Sequence, residues 1–247
     1  IVNGTSINGF TTTGIPSDYQ VSRLYDTQGG WDMYDVFQKF NSTGVNLLNH
    51  LGHSFVTYNM RMETSDLTTN NFTNNGITRS FVIGYSQGCY NGSFDNRDDG
   101  GGYGTSDCFA EKFTTIATGE VASIANSRYG WYAPGATNSS SQYHDRQFFD
   151  AIFGENITQI GFVNADAKEY NASFFAGDMY MRWVVYETNL FGDPSMDIWT
   201  DAPTDIITNY PASIPVGSGS LILQTNAPFA RVGVTQNGEL IGKAFTD

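Results

Sequence analysis

The sequence predicts an α/β domain on a mostly parallel sheet, followed by a smaller β-rich module. Short β-branched or apolar runs alternate with segments of helical period, which is the pattern of a parallel sheet flanked by helices. The composition changes after Ala202, where three prolines interrupt the chain. We therefore assign residues 1–202 to the α/β domain and residues 203–247 to the β-rich module.

Three strands and several helices are predicted within residues 1–202. Helical period is found at residues 31–40, 107–117, 147–153 and 181–187. The predicted strands are residues 45–48, 80–85 and 121–125. Asp107 is the predicted N-cap of the second helix, and Gly119 its stop. Strands therefore alternate with helices, as parallel pairing requires.

The last 45 residues carry a different pattern. Two short apolar runs, at residues 221–224 and 231–234, are predicted strands. Asn237 and Gly238 lie at a predicted hairpin turn, because Asn-Gly readily adopts the two positive φ angles of a type I′ turn. A segment this short cannot form a complete seven-strand sandwich of about 100 residues.

Composition and charge exclude several classes of protein. The 247 residues are 40% hydrophobic and 15% aromatic, which is enough for a packed core. The formal net charge of -13, with no basic stripe, excludes nucleic acid as a partner. No apolar run approaches the ~20 residues of a membrane-spanning helix. The chain begins with Ile and carries no signal-peptide pattern, so we expect it to be a processed piece of a longer precursor.

Seven Asn-x-Ser/Thr triplets predict an exported glycoprotein. The acidic surface and the scarcity of lysine favour the same compartment, extracellular or on the cell surface. The candidate glycosylation sites are Asn3, Asn41, Asn71, Asn91, Asn138, Asn156 and Asn171.

Two predicted strands end in residues that could carry nucleophilic chemistry. His53 follows the first strand and Cys89 the second, and sites in parallel sheets form beyond the carboxyl ends of the strands. Gly52 and Gly88 precede them and would allow a substrate backbone to approach closely. A free thiol is only a few per cent ionised at pH 7, so a nucleophilic Cys89 needs a base such as His53. The alternatives are a buried structural thiol with a hydrogen-bonded histidine, or a disulfide between Cys89 and Cys108.

Four segments together resemble the gingipain family of cysteine peptidases. They begin at residues 49, 88, 108 and 190 and read Asn-His-Leu-Gly-His, Gly-Cys-Tyr-Asn-Gly-Ser-Phe, Cys-Phe-Ala-Glu and Leu-Phe-Gly-Asp-Pro-Ser. The resemblance covers residues 18–202 and implies a caspase-like fold. It also implies that residues 203–247 begin an immunoglobulin-like module, and that the family's amino-terminal subdomain is missing here.

The resemblance implies a role for particular residues. Cys89 would be the nucleophile and His53 the general acid and base, with the backbone N–H groups of Cys89 and Ser54 as oxyanion donors. The family has glycine where this chain has Ser54, and usually a small apolar residue at Gly88. The pocket for the residue before the cleaved bond would be walled by Leu51, Gln87 and Trp131, although Trp131 could equally be a packed core residue.

A Gly-rich stretch after Cys89 is longer than its counterpart in the family. Its acids Asp95, Asp98 and Asp99 could hold a structural Ca²⁺, as family members do; the alternative is a mobile surface loop. The reaction itself would require no cofactor.

The function predicted from the sequence is therefore a secreted cysteine endopeptidase acting on protein or peptide substrates. A missing amino-terminal segment of the same precursor is a further expected partner. The alternative is a non-catalytic surface or adhesive glycoprotein that retains the peptidase fold.

Overall fold

The computed structural model describes residues 2–7, 10–202, 204–214, 217 and 219–247. They fall into two compact units, residues 1–200 and 201–247. The first contains strands β1 (Thr5–Ile7), β2 (Phe10–Thr12), β3 (Leu47–His50), β4 (Tyr58–Asn59), β5 (Met62–Glu63), β6 (Val82–Ser86), β7 (Glu120–Asn126) and β8 (Thr188–Phe191). Its helices are α1 (Met33–Gln38), α2 (Phe109–Thr115), α3 (Ser140–Phe153), α4 (Ile160–Tyr170) and α5 (Met179–Glu187), and a π-helical segment, Lys39–Thr43, continues α1. Among the described residues, no helix is long and apolar enough to cross a membrane.

A four-stranded sheet in the order β3-β6-β7-β8 organises the first unit. The first three strands are parallel, and β8 adds antiparallel to β7. His50 pairs with Ser86, so β3 and β6 end together at one edge. The α/β prediction is confirmed, with an antiparallel edge strand that the sequence did not indicate.

Both faces of the sheet are covered by apolar packing. Ile83, Tyr85 and Ile124 face a core that includes Phe148 and Ile152 of α3. The opposite face packs against an aromatic cluster from α1, the π-helical segment, α2 and a loop, whose members are Phe37, Phe40, Phe72, Phe109 and Phe113. Ring centroids in this cluster lie 4.7 to 5.7 Å apart, at the distances favoured by aromatic pairs. Packing on both faces holds the strands, and with them the edge at which β3 and β6 end.

The start of α2 differs from its prediction. Cys108, not Asp107, is the N-cap, and its backbone N–H donates to the Glu111 carboxylate at 2.9 Å. Glu111 is thus the N3 residue of a capping box, whose side chain accepts the N-cap backbone N–H. The helix ends before Ile116 rather than at Gly119, because the chain becomes extended at Ile116.

Helix α3 is twice as long as predicted. The sequence indicated residues 147–153 from the apolar period, whereas the helix begins at Ser140. Its first eight residues are mostly polar, yet nearly all are buried, because α4 and α5 pack against the helix. The sequence predicted no helix at α4. The apolar period within α3 could not show that its polar first half is buried, because the helices that cover it come later in the chain.

In the described part of residues 201–247, the strands form two separate antiparallel pairs. Strand β9 (Thr208–Asn209) pairs with β10 (Gln224–Thr225), and β11 (Arg231–Gln236) pairs with β12 (Glu239–Phe245). The predicted turn is confirmed, with φ of +52° at Asn237 and +84° at Gly238. The immunoglobulin-like module is not confirmed and stays a prediction, since the described residues of this unit show these pairs only as separate two-stranded sheets.

Candidate active site

The loops that follow β3 and β6 are in direct contact. The Gln87 N–H donates to the His50 carbonyl at 3.0 Å, and the Ser54 hydroxyl donates to the Cys89 carbonyl at 2.7 Å. A Cβ atom at Gly88 would lie 2.0 Å from Ser54 Oγ, so only glycine fits between the loops as they stand. The loop carrying His53 and the loop carrying Cys89 are therefore brought together at the sheet edge.

Cys89 and Cys108 are both free, in contrast to the disulfide alternative. Cys108 is fully buried, in a small cluster with Val56 and Tyr90. Burial raises the pKa of the Cys108 thiol to about 12, so it is neutral at physiological pH. Cys89 is only partly buried and His53 is exposed, so a substrate can approach both.

A third loop, after β7, reaches the Cys89 sulfur. Burial raises the pKa of the Cys89 thiol, but interaction with the Gly130 backbone N–H opposes that shift by favouring the thiolate. A Cβ atom at Gly130 would lie 2.1 Å from the Gln87 carbonyl oxygen, so this close approach requires glycine. The sequence pointed to Trp131, the residue after Gly130, but not to the Gly130 N–H. The available signal was a glycine just beyond the carboxyl end of a third parallel strand.

A buried carboxyl lies near Cys89. Glu187 ends α5 and is almost fully buried, and the Trp183 side chain and the Arg128 backbone N–H lie near its carboxyl. Burial raises the pKa of Glu187 to about 9, so the carboxyl is protonated at neutral pH. Its proximity also contributes to the raised pKa of Cys89. Nothing in the local sequence distinguished Glu187 from other helical acids.

The three predicted pocket residues lie on the three loops of this edge, in different environments. Leu51 is 62% exposed, whereas Gln87 is only 6% exposed, with its side chain beside the Asp145 carboxyl. Gln87 therefore lies beneath the surface rather than forming an open wall. Trp131 packs on Tyr180 at a centroid distance of 4.5 Å, so its ring is held in place.

The acidic loop after Cys89 does not fit a bound Ca²⁺. Asp95 pairs with Arg128 through two contacts, at 2.7 and 3.1 Å, and the guanidinium lowers the pKa of Asp95 to about 2. Asp98 accepts the Gly102 N–H at 2.7 Å. In the described part of the chain, no group of three or more His, Cys, Asp or Glu side chains is placed to hold a metal, Asp95, Asp98 and Asp99 included. The loop is fastened by Arg128 to the segment that carries Gly130.

The predicted glycosylation sites differ in accessibility. Asn3 and Asn156 are exposed. Asn91 and Asn171 are 1% and 0% exposed, and Asn171 Nδ2 donates to the Ala167 carbonyl. In the folded chain these two side chains are therefore not accessible to a glycan, and glycosylation at the predicted positions stays a prediction. Asn41, Asn71 and Asn138 are partly buried.

Comparison with known proteins places the chain in a family. The model of peptidase family C25 matches residues 4–199. A crystal structure of the Arg-specific cysteine proteinase gingipain R aligns with a TM-score of 0.67 and 20% identity, over 89% of this chain and 48% of the other. A complex of the pro- and mature domains of RgpB from Porphyromonas gingivalis aligns with a TM-score of 0.66 and 21% identity, over 89% and 49%. The chain thus spans about half the length of these structures, and the search of curated proteins gives no match.

The fold and the family match agree with the resemblance seen in the sequence. The mixed sheet with flanking helices is the caspase-like arrangement of the gingipain structures. The family match covers most of the first structural unit, including the loops that carry His53 and Cys89. The chain belongs to peptidase family C25, the gingipain family of cysteine peptidases.

Proposed function

We propose that the chain is a cysteine endopeptidase that uses Cys89 and His53. The contact between their two loops, with Cys89 free and partly exposed, is the observation that carries the proposal. His53 takes the thiol proton as Cys89 Sγ bonds to the peptide carbonyl carbon. The C–N bond then breaks, and the leaving amine receives that proton. Water, deprotonated by His53, hydrolyses the thioester and restores the thiol.

The raised pKa of Cys89 makes the base necessary. A thiol that burial holds neutral at pH 7 is a poor nucleophile unless its proton has an acceptor nearby. His53 is exposed and lies on the loop that follows β3, three residues after the strand ends at His50. The Gly130 N–H supports the same step, because a donor near sulfur favours the thiolate.

The oxyanion donors are the backbone N–H groups of Ser54 and Cys89. Among the described residues neither N–H has a hydrogen-bond acceptor, whereas Phe55 and Tyr90 donate to Tyr58 and Arg128. Two unpaired donors at adjacent loops are available to a developing negative charge on the carbonyl oxygen. Ser54 retains this N–H, so the departure from glycine there does not remove a donor. No cofactor takes part.

The substrate is a protein or peptide, and we place the enzyme outside the cell or on its surface. Leu51 and Trp131 border the place where the residue before the cleaved bond would lie, with Gln87 beneath. Asn3 and Asn156 are the sites most accessible to glycans, so deglycosylation should reduce the mass of the native protein. One gingipain structure is a complex of pro- and mature domains, and we propose a segment of the same precursor as a partner here.

A non-catalytic surface glycoprotein is the second candidate. The raised pKa of Cys89 favours it, because a thiol that stays neutral is compatible with a purely structural role. The two functions differ in one measurable property, which is the reactivity of Cys89 toward a substrate-like electrophile.

Labelling with a thiol-directed peptidyl inhibitor tests the choice. The native chain should be labelled at Cys89 and not at Cys108, because Cys108 is fully buried with a pKa of about 12. Peptide mapping by mass spectrometry locates the adduct, and the His53→Ala variant should react at least about tenfold more slowly. Labelling of neither cysteine in the folded chain, or an unchanged rate in His53→Ala, would favour the glycoprotein.

A further inference from the structure

A second histidine lies directly beneath the two catalytic loops. His50 is the last residue of β3 and pairs in register with Ser86, the last residue of β6. The His50 Nδ1 and Ser86 Oγ atoms lie 2.9 Å apart. Ser86 Oγ also accepts the Gly88 N–H at 3.2 Å and a proton of Asn59 Nδ2 at 3.4 Å. One hydroxyl thus links the end of β3 to the residue before the nucleophile.

The direction of these hydrogen bonds determines the state of His50. A serine hydroxyl has two acceptor lone pairs and one proton, and the two N–H donors occupy both lone pairs. Ser86 must therefore donate its proton to His50 Nδ1, which must be unprotonated. His50 is then neutral with its proton on Nε2, because a proton on Nδ1 would displace Gly88 or Asn59 from Ser86.

The other side of the His50 ring contacts the His53 loop. A Cβ atom at Gly52 would lie 2.7 Å from His50 Nε2, so the ring packs against the residue before His53. Burial, and secondarily the charge of His53, lowers the pKa of His50 to about 4. A small cavity lies beside the ring. Its lining includes polar side chains of β4, β6, β7 and a loop, which are Asn59, Ser86, Glu120, Ser123 and Asn91, and the Phe109 ring of α2. The Glu120 carboxyl is itself neutral at pH 7, since burial raises its pKa to about 8.

We propose that His50 is a positioning residue that fixes the Cys89 loop relative to His53. Its neutral ring accepts the Ser86 proton, which leaves the Ser86 oxygen free to hold the Gly88 N–H. The Gly88 peptide in turn orients Cys89, while the same ring packs against Gly52 and so locates His53. The role in catalysis rests on the proposed peptidase function, but the hydrogen-bond arrangement does not.

Three variants test the positioning role. His50→Leu removes the acceptor, and Ser86→Ala removes the link to Gly88. His50→Asn is the matched control, since Asn Oδ1 can occupy the place of His Nδ1. We expect His50→Leu and Ser86→Ala to lower kcat for a peptide substrate about 10- to 100-fold with KM within about twofold. The decrease in log kcat for His50→Asn should be no more than about half of the decrease for His50→Leu.

A second measurement does not depend on peptidase activity. Nitrogen-15 NMR of the native chain at pH 7 should show an unprotonated Nδ1 and a protonated Nε2 for His50. The Gly88 amide should exchange at least about tenfold faster in Ser86→Ala than in the native chain.

The two measurements separate the proposals. If the native chain lacks activity while the NMR pattern is found, the peptidase proposal fails and the hydrogen-bond arrangement stands. A charged or Nδ1-protonated His50 at pH 7 would overturn the inference even if a variant failed to fold. So would full kcat in His50→Leu, or a His50→Asn variant as impaired as His50→Leu.

Discussion

Replacing Cys89 with alanine should abolish peptide hydrolysis, with kcat/KM falling at least about 10⁴-fold. Loss of a covalent nucleophile removes the whole acyl-transfer route, and only binding and the oxyanion donors would still act on the substrate. Cys89 is the partly exposed cysteine at the sheet edge, where the Gly130 N–H and the His53 loop meet it. The measurement is the initial rate on an unfolded protein or a peptide mixture, with cleavage products identified by mass spectrometry.

Cys108→Ala is the matched control. Cys108 is 0% exposed and lies among Val56, Tyr90 and Ala110, so its loss removes one buried sulfur without reaching the sheet edge. We expect kcat/KM within about threefold of the native value and a modest loss of stability. Equal activity in Cys89→Ala and the native chain would show that Cys89 is not the nucleophile. Loss of activity in Cys108→Ala, with an unchanged melting temperature, would contradict the assignment in the same way.

The folding stability should decrease as pH rises from about 6.5 to about 9. Three carboxyls, Glu120, Asp145 and Glu187, are buried, and burial raises their pKa values to about 8, 7 and 9. In the unfolded chain they are ionised throughout this range, whereas the folded chain binds more protons. The free energy of unfolding therefore falls as pH increases, by up to about 1.4 kcal/mol per pH unit for each carboxyl still protonated in the fold.

Two buried histidines act in the opposite direction at lower pH. Burial lowers the pKa of His50 and of His144 to about 4. Between about pH 4 and 6.5 the unfolded chain binds more protons at these sites, so they cost stability as pH falls. They offset part of the carboxyl effect there, and the stability curve should be flatter below pH 6.5 than above it.

Urea unfolding at several pH values checks this, with Glu120→Gln as the informative variant. Gln keeps the size of the buried side chain without ionising. The slope of the free energy of unfolding against pH, between pH 6.5 and 8, should therefore become less steep by the contribution of about one proton. Glu169→Gln, at an exposed position of α4, should leave the slope unchanged. Stability that rises over this range, or an unaltered slope in Glu120→Gln, would mean that Glu120 is ionised in the folded chain.

Local pattern was sufficient to predict the parts of the fold made by short segments. Apolar runs at 45–48, 80–85 and 121–125 correspond to β3, β6 and β7 within two residues at every boundary, because a strand covered on both faces must be apolar. The helical period of residues 31–40 corresponds to α1, whose start is set by the Asp32 and Asp35 capping box. The Asn237 and Gly238 turn follows from the φ angles these residues tolerate.

The candidate site was only partly predictable. His53 and Cys89 could be identified because each follows a strand, and parallel strands bring their carboxyl ends to one edge. Gly130 was indicated only by its place after a third parallel strand, and Glu187 by nothing local, because their roles depend on contacts with residues about 40 to 100 positions away. The Asp95 side chain shows the same limit. The sequence left a metal ligand and a mobile surface loop open for it, and the fold supplied Arg128, 33 residues later, as its partner.

The sequence by itself determined the three parallel strands, the larger helices other than α4, the family resemblance, and the two side chains at the strand ends. Periodicity, turn chemistry and motif order are properties of neighbouring residues, so they can be seen without a fold. Only the tertiary structure decided that both cysteines are free, that the polar start of α3 is buried, and that His50 contacts both loops. Burial and hydrogen-bond partners set those properties, and distant segments of the chain provide them when they pack together.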